Sequence, residues 1–166
     1  MSTESVSIEK KLNRGVSLLL RKPISKNVKY PKVNNFTYEE FLSDKMLIIE
    51  AIRNGIPYRL FELMLDKTLF SMNELANFLD ISLKSLQRYK KASKNFKSLQ
   101  SEKIIELAEV TKVGLDVFGE LNKLKLWLNT PNYSLGNFKP IELLKYSYGK
   151  ELVIGELTRI NHGIFV

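Results

Sequence analysis

Six polar side chains near the middle of this chain have the donors and charges that nucleic acid recognition requires. Lysine and arginine bind phosphates, and glutamine and arginine also hydrogen bond to base edges. The six follow Ser82 on a segment whose inward candidates are Leu86 and Tyr89, so they would face solvent. The outward set consists of Lys84, Ser85, Gln87, Arg88, Lys90 and Lys91. This pattern predicts a helix that contacts DNA bases and phosphates.

The preceding residues predict the element that positions this helix. Ser71 and Glu74 form a Ser-x-x-Glu capping box, with which a helix begins. Its apolar positions are Leu75, Ala76 and Leu79. Asp80 breaks the period by tolerating the left-handed region, and Ser82 is a suitable N-cap for the next helix. This spacing is typical of a helix-turn-helix. An ordinary helical hairpin with a solvated basic face has the same spacing, so the pattern favours DNA binding only modestly.

The positive charge of the chain is concentrated in two segments. The net charge is +8, residues 1–35 hold 8 basic and 2 acidic groups, and residues 71–100 hold 6 and 2. Residues 101–166 hold 8 of each and are neutral. A polyanionic partner is therefore expected for the N-terminal half, whereas the last third requires another explanation.

The sequence offers little for catalysis or metal binding. It has no cysteine, and its one histidine, His162, cannot form a multi-histidine metal site within one chain. The acidic residues are scattered, and no glycine loop suited to phosphates is present. We expect a protein that is not an enzyme, with no catalytic residue, metal or cofactor. No apolar run approaches the roughly 20 residues of a membrane span, and residues 16–20 are too short for a signal peptide, so we expect a cytoplasmic protein.

Helical periodicity predicts an all-α fold in three parts. Residues 1–35 are expected to form a loosely ordered basic arm with one helix over residues 8–20; the arm could contact phosphates or serve only as a solubilising tail. Residues 36–98 are expected to form the helix-turn-helix domain, in which Thr37 caps a helix. The apolar positions of that helix are Phe41, Met46, Ile49 and Ala51. A stop and restart falls at residues 54–57.

Residues 99–166 are expected to form the third part. A helix capped by Ser98 should run to Gly119 and join the two halves, with Gly114 as a weak interior point. Trp127 lies in the middle of an apolar stripe and is expected in the core. Ser147 is expected to cap a final helix. Its inward positions are Leu152, Val153, Leu157 and Ile160.

Several short motifs in this last third resemble the Xre/MbcA/ParS toxin-binding domain of bacterial antitoxins. They are WLNTPN at 127–132, LG at 135–136, PIELL at 140–144 and RINHGIFV at 159–166. Upstream, NGIP at 54–57 and SLKSLQR at 82–88 are similar to the Xre-like helix-turn-helix of the same antitoxins. The resemblance covers residues 50–166, with the motifs in the same order and at matching spacing.

The resemblance implies two activities. The helix-turn-helix half would bind the operator of its own operon, as a homodimer within a larger complex. The C-terminal half would bind a cognate toxin, commonly a RES-domain protein that consumes NAD, and block its active site with the terminal segment. The implied toxin-binding residues are Arg159, His162, Gly163, Ile164, Phe165 and Val166.

Two other functions remain open at this stage. The chain could be a stand-alone transcription regulator whose last third is a dimerisation domain. It could also be an antitoxin that has lost DNA binding, because Asp80 stands where the family often has glycine, although the basic residues 71–100 oppose this.

Overall fold

The computed structural model describes residues 3–20, 36–65, 70–146 and 148–164, with side chains from residue 9 onward. The elements are α1 (Thr3–Leu20), α2 (Tyr38–Ser43), α3 (Lys45–Asn54), α4 (Tyr58–Leu65), α5 (Met72–Phe78), α6 (Leu83–Ala92), α7 (Ser98–Phe118), α8 (Leu121–Leu128), a 3-10 turn (Tyr133–Leu135), α9 (Pro140–Leu143) and α10 (Gly149–Asn161). No strand is present in these described ranges, and the all-α prediction is confirmed.

Local hydrogen bonds fix where three of the helices begin. Thr37 and Ser71 each make a capping box with the glutamate three residues later, as α2 and α5 start. Ser82 Oγ accepts a hydrogen bond from the Ser85 N–H at 3.1 Å and caps α6. These three caps were predicted and are confirmed. The expected cap at Ser98 is wrong, because Ser98 is already the first residue of α7 and no side chain caps that helix.

A break at Asp44 separates α2 from α3. Asp44 Oδ1 accepts hydrogen bonds from the Met46 and Leu47 N–H groups at 2.8 and 3.3 Å, so a new helix begins there. The new start turns Leu47 and Ile48 into the core. Met46 and Ile49, expected to be inward positions, are consequently exposed.

The N-terminal helix is part of the core. Leu12, Val16 and Leu19 of α1 are buried, and the helix packs against α2, α3 and α4. The expected helix over residues 8–20 is therefore present, but these residues are packed rather than loosely ordered, because their apolar stripe covers the other helices. The rest of the expected arm, residues 21–35, lies outside the described residues.

The long helix α7 contacts helices of both halves. It packs against α3 and α4 on one side and against α8 and α10 on the other. Gly114 lies where α8 crosses, and a Cβ there would lie 2.3 Å from Leu124 Cδ1, so glycine permits the close approach. Glu109 binds Lys45 of α3 at 3.0 Å and Lys150 of α10 at 2.7 Å. Packing and ion pairs together connect the two halves through α7, which ends at Gly119 as expected.

Candidate functional site

The helix α6 is seated on α5 by its apolar side. Leu75, Ala76, Leu79 and Leu86 are all buried. Tyr89 is half-buried, and its ring stacks on Phe96 with 4.5 Å between centroids. Because this core lies under α6, its polar side is presented to solvent.

The turn between α5 and α6 forms at Asp80. This residue has φ of 55°, in the left-handed region that aspartate tolerates. The Ile81 N–H donates to the Ala76 carbonyl at 3.0 Å, which closes the end of α5. Asp80 therefore adopts the turn without a glycine.

The outward residues of α6 divide into one face and two flanks. Those at i, i+3, i+4 and i+7 lie on one face and are exposed. They are Lys84, Gln87, Arg88 and Lys91. Ser85 is half-buried and belongs to the cap, because its hydroxyl lies 3.0 Å from Ser82 Oγ. Lys90 is on the opposite flank, where its Nζ lies 3.2 Å from Glu62 of α4 and this carboxylate raises the pKa of Lys90.

The loop after α6 is anchored by a buried serine that the sequence analysis did not single out. Ser101 Oγ accepts a hydrogen bond from the Ile56 N–H at 2.9 Å and donates to the Phe96 carbonyl at 3.3 Å. The Phe96 N–H donates to the Ile56 carbonyl at 2.9 Å. Gly55, with φ of 78°, passes close by, and a Cβ there would lie 2.3 Å from the Phe96 oxygen. The sequence signal that could have identified Ser101 is a serine within the otherwise apolar stripe of α7.

The second exposed surface lies on α10 and is apolar. Val153 and Leu157 face the core as expected, but Leu152 is 56% exposed and its expected inward position is wrong. Leu152 is about 100° around the helix from Val153, so α10 cannot bury both against α7. Tyr148, which directly precedes α10, is 81% exposed. The predicted cap at Ser147 lies outside the described residues.

One stripe continues along α10 to the segment after it. The exposed positions at i, i+4, i+7 and i+11 are Tyr148, Leu152, Gly155 and Arg159. Nothing lies within 4 Å of a Cβ built on Gly155, so a partner can approach the backbone there. We call these four residues the α10 stripe. Exposed aromatic side chains from the neighbouring turns, which the sequence analysis did not select, are Tyr133, Phe138 and Tyr146.

A glycine turn ends α10 and directs the residues that follow. Gly163 has φ of 70°, its N–H donates to the Ile160 carbonyl at 2.9 Å, and the Ile164 N–H donates to the Arg159 carbonyl at 3.0 Å. These two bonds make a Schellman motif. Ile164 is 53% exposed just beyond the α10 stripe, and His162 is also exposed. Phe165 and Val166 lie outside the described residues.

Three further sequence expectations concern Trp127, metal binding and membrane spans. Trp127 is half-buried and packs on Phe118, with 5.8 Å between ring centroids. Within the described ranges, no group of His, Asp and Glu side chains could hold a metal ion. No described helix is long and apolar enough to cross a membrane.

This geometry defines an all-helical protein with a helix-turn-helix domain joined to a second, small helical domain. Residues 47–109 match the antitoxin Xre-like helix-turn-helix domain, and residues 114–163 match the antitoxin Xre/MbcA/ParS C-terminal toxin-binding domain. The chain therefore belongs to the Xre/MbcA-type antitoxins, which are not enzymes.

Individual relatives agree with this assignment. The chain is 30% identical over 93 residues to an antitoxin Xre of Yersinia enterocolitica. This alignment covers 55% of this chain and 63% of the relative. It is 25% identical over 118 residues to an antitoxin Xre of Photorhabdus laumondii, covering 70% and 80%. The alignment with the Yersinia relative thus spans less than two thirds of that protein's length.

The fold is also similar to that of a solved structure. A chain in the crystal structure of the M. tuberculosis MbcT-MbcA toxin-antitoxin complex superposes with a TM-score of 0.55 at 22% sequence identity. The superposition covers 64% of this chain and 94% of that chain.

Proposed function

We propose that this protein binds and neutralises a cognate toxin and also binds the operator DNA of its own operon. The observation that carries the first activity is the α10 stripe, an apolar exposed surface within the matched toxin-binding domain. Contiguous exposed apolar surface marks interaction sites, and aromatic side chains such as that of Tyr148 are enriched in interfaces.

The toxin would cover the α10 stripe and the segment beyond it. Gly163 turns the chain so that Ile164 leaves the end of the helix exposed. His162 and Arg159 would supply polar contacts beside the apolar ones, and Gly163, Phe165 and Val166 would complete the inserted segment. We propose that this segment occludes the active site of the toxin, and that the toxin is a RES-domain protein that consumes NAD.

The DNA would contact the exposed face of α6 in its major groove. Gln87 and Arg88 are central on this face and are proposed to read base edges, whereas Lys84 and Lys91 would contact phosphates. Lys90 and Ser85 flank the face and would contact the backbone of the DNA. A homodimer within a larger toxin–antitoxin complex would present two such helices to two half-sites.

Coexpression with the product of the adjacent reading frame tests the proposal. The tagged chain, full-length or truncated after Ile160, is scored for copurification of the neighbour and for cell growth. A neighbour that is lethal alone, copurifies, and is tolerated only with the intact segment supports neutralisation. A harmless neighbour that does not bind would make the last third a dimerisation domain of a stand-alone regulator.

A further inference from the structure

A groove with cationic edges lies between α1 and α4. It has a volume of about 770 Å³. Its cationic lining residues are Lys11 and Arg14 of α1 and Arg59 of α4. All three side chains are exposed, and none makes an ion pair with a residue that the structure describes. The one acidic lining residue, Glu62, is paired with Lys90.

Lys11 and Arg14 lie on α1, a helix whose backbone is held against α4 by close packing. Its buried apolar stripe packs on α4, and a Cβ built on Gly15 would lie 2.9 Å from Leu60 Cδ1. Such close packing leaves α1 little freedom to move relative to α4. The helix α1 lies outside residues 47–109, which match the helix-turn-helix domain.

The groove is adjacent to the C-terminal end of α6. The Glu62–Lys90 ion pair joins α4 to α6 at 3.2 Å. Asn95, which lines the groove, donates to the Asn54 carbonyl at 3.3 Å, and the Tyr58 N–H donates to the Lys94 carbonyl at 3.2 Å. These contacts connect the groove to the C-terminal end of α6 and to the loop after it.

We propose that Lys11, Arg14 and Arg59 form a second phosphate-binding surface for the DNA that α6 reads. The inference rests on the proposed DNA binding. Duplex DNA carries one negative charge per roughly 1.7 Å of helix axis, so cations spread along a fixed surface next to the reader helix match its backbone. If an acidic protein segment occupied the groove instead, these cations would make no contribution to the salt dependence of DNA binding.

The test measures the salt dependence of DNA binding by the full chain. The probe is a duplex containing the DNA upstream of the gene, and the variant is Lys11→Ala/Arg14→Ala/Arg59→Ala. The slope of log K against log salt is negative, and each lost phosphate contact reduces its magnitude by roughly 0.9, so the magnitude should fall by about 2.7. Between about 50 and 200 mM salt, the wild type should then lose about 40-fold more affinity than the variant.

Two control variants separate charge from fold. Lys123→Ala/Lys139→Ala/Lys145→Ala removes the same charge from the C-terminal domain and should leave the slope unchanged. Arg14→Lys/Arg59→Lys keeps the charge and should retain the wild-type slope. If the wild type binds the duplex and the groove variant has the same slope as the wild type, the second surface is rejected and the proposed function stands. If the wild type does not bind the duplex, the proposed DNA binding and this inference both fail.

Discussion

The helices α6 and α10 expose opposite kinds of surface from the same core. On α6 the outward face carries Lys84, Gln87, Arg88 and Lys91, which water solvates well when no partner is bound. On α10 the outward stripe includes Tyr148 and Leu152, which water does not favour. A polar face can exist alone and bind a polyanion reversibly, whereas an exposed apolar stripe gains free energy only when another molecule covers it.

Each of the two surfaces fits a different kind of partner. Electrostatic contacts with DNA weaken steeply with salt and carry much of the nonspecific affinity. Burial of apolar surface depends little on salt and scales with the area removed from water, at about 25 cal/mol per Å². We therefore expect the affinity of the α6 face for its partner to fall with salt, and that of the α10 stripe to change little.

Replacing the two apolar side chains at the N-terminal end of the α10 stripe should have the greatest effect on toxin binding. Tyr148→Ala/Leu152→Ala should weaken toxin binding by roughly 1,000-fold, because each apolar anchor of an interface contributes about 2 kcal/mol. Affinity for the coexpressed neighbour is measured by calorimetry, with DNA binding as the internal control. Leu126→Ala removes an exposed leucine from α8 and serves as the matched surface control. Unchanged toxin affinity in the double variant would contradict the assignment of this stripe.

The next effect separates base reading from phosphate binding on α6. Gln87→Ala and Arg88→Ala should each cost about 1–3 kcal/mol of discrimination and bring operator affinity towards that for unrelated DNA. Lys84→Ala or Lys91→Ala should weaken binding to all DNA alike and lower the salt slope by roughly 0.9 each. Both kinds of variant should keep full toxin affinity. Equal losses on operator and unrelated DNA for Arg88→Ala would show that this residue does not read bases.

The sequence predicted most accurately the features that depend on residues close together in the chain, namely helix caps and turns. The caps at Thr37, Ser71 and Ser82 and the left-handed turn at Asp80 follow from side chains that bond their own backbone, so their spacing is sufficient evidence. The outward face of α6 followed in the same way from helical period.

Long-range packing limited the rest of the sequence analysis. Leu152 and Met46 satisfied the helical period, yet which apolar positions are buried depends on the helix that packs against them. The position of α1 in the core and the hydrogen bonds of Ser101 also join residues far apart in the chain. A local pattern can mark Ser101 as unusual in an apolar stripe but cannot show which distant groups it bonds. The exposure of Tyr148 likewise depends on how α10 packs, and this residue was not selected as a site residue.

Replacing the buried Ser101 hydroxyl tests whether the α6 surface can be destabilised without affecting the α10 surface. Ser101→Val removes the acceptor of the Ile56 N–H in a buried place and should lower the free energy of unfolding by about 1–3 kcal/mol. Thr111→Val is the matched control, because the Thr111 hydroxyl only donates to the Leu107 carbonyl within α7, at 2.7 Å. Chemical denaturation measures both. If the two surfaces are independent, Ser101→Val lowers DNA affinity more than toxin affinity, and equal losses would show that α7 couples them.

The smallest of the predicted changes is a pH-dependent change in stability caused by Glu106, a residue of α7 near Lys150 of α10. Burial raises the pKa of Glu106 from 4.5 to about 7, with Glu102 and Glu109 adding to the effect and Lys150 opposing it. The folded state therefore favours the protonated form, and this contribution to stability is complete below pH 4.5 and is lost as pH rises through 7. Such a shift corresponds to roughly 3 kcal/mol, which solvent screening of this half-buried side chain reduces to about 1 kcal/mol.

Replacing Glu106 removes this pH dependence. Glu106→Gln should melt at a higher temperature than the wild type above pH 7, and the difference should shrink as pH falls towards 4.5. Thermal melts across this range measure it, with Glu151→Gln on the exposed side of α10 as the control. If the α6 and α10 surfaces are independent, the same variant should leave DNA affinity unchanged at every pH. A constant offset in melting temperature across the range would show that Glu106 does not titrate there.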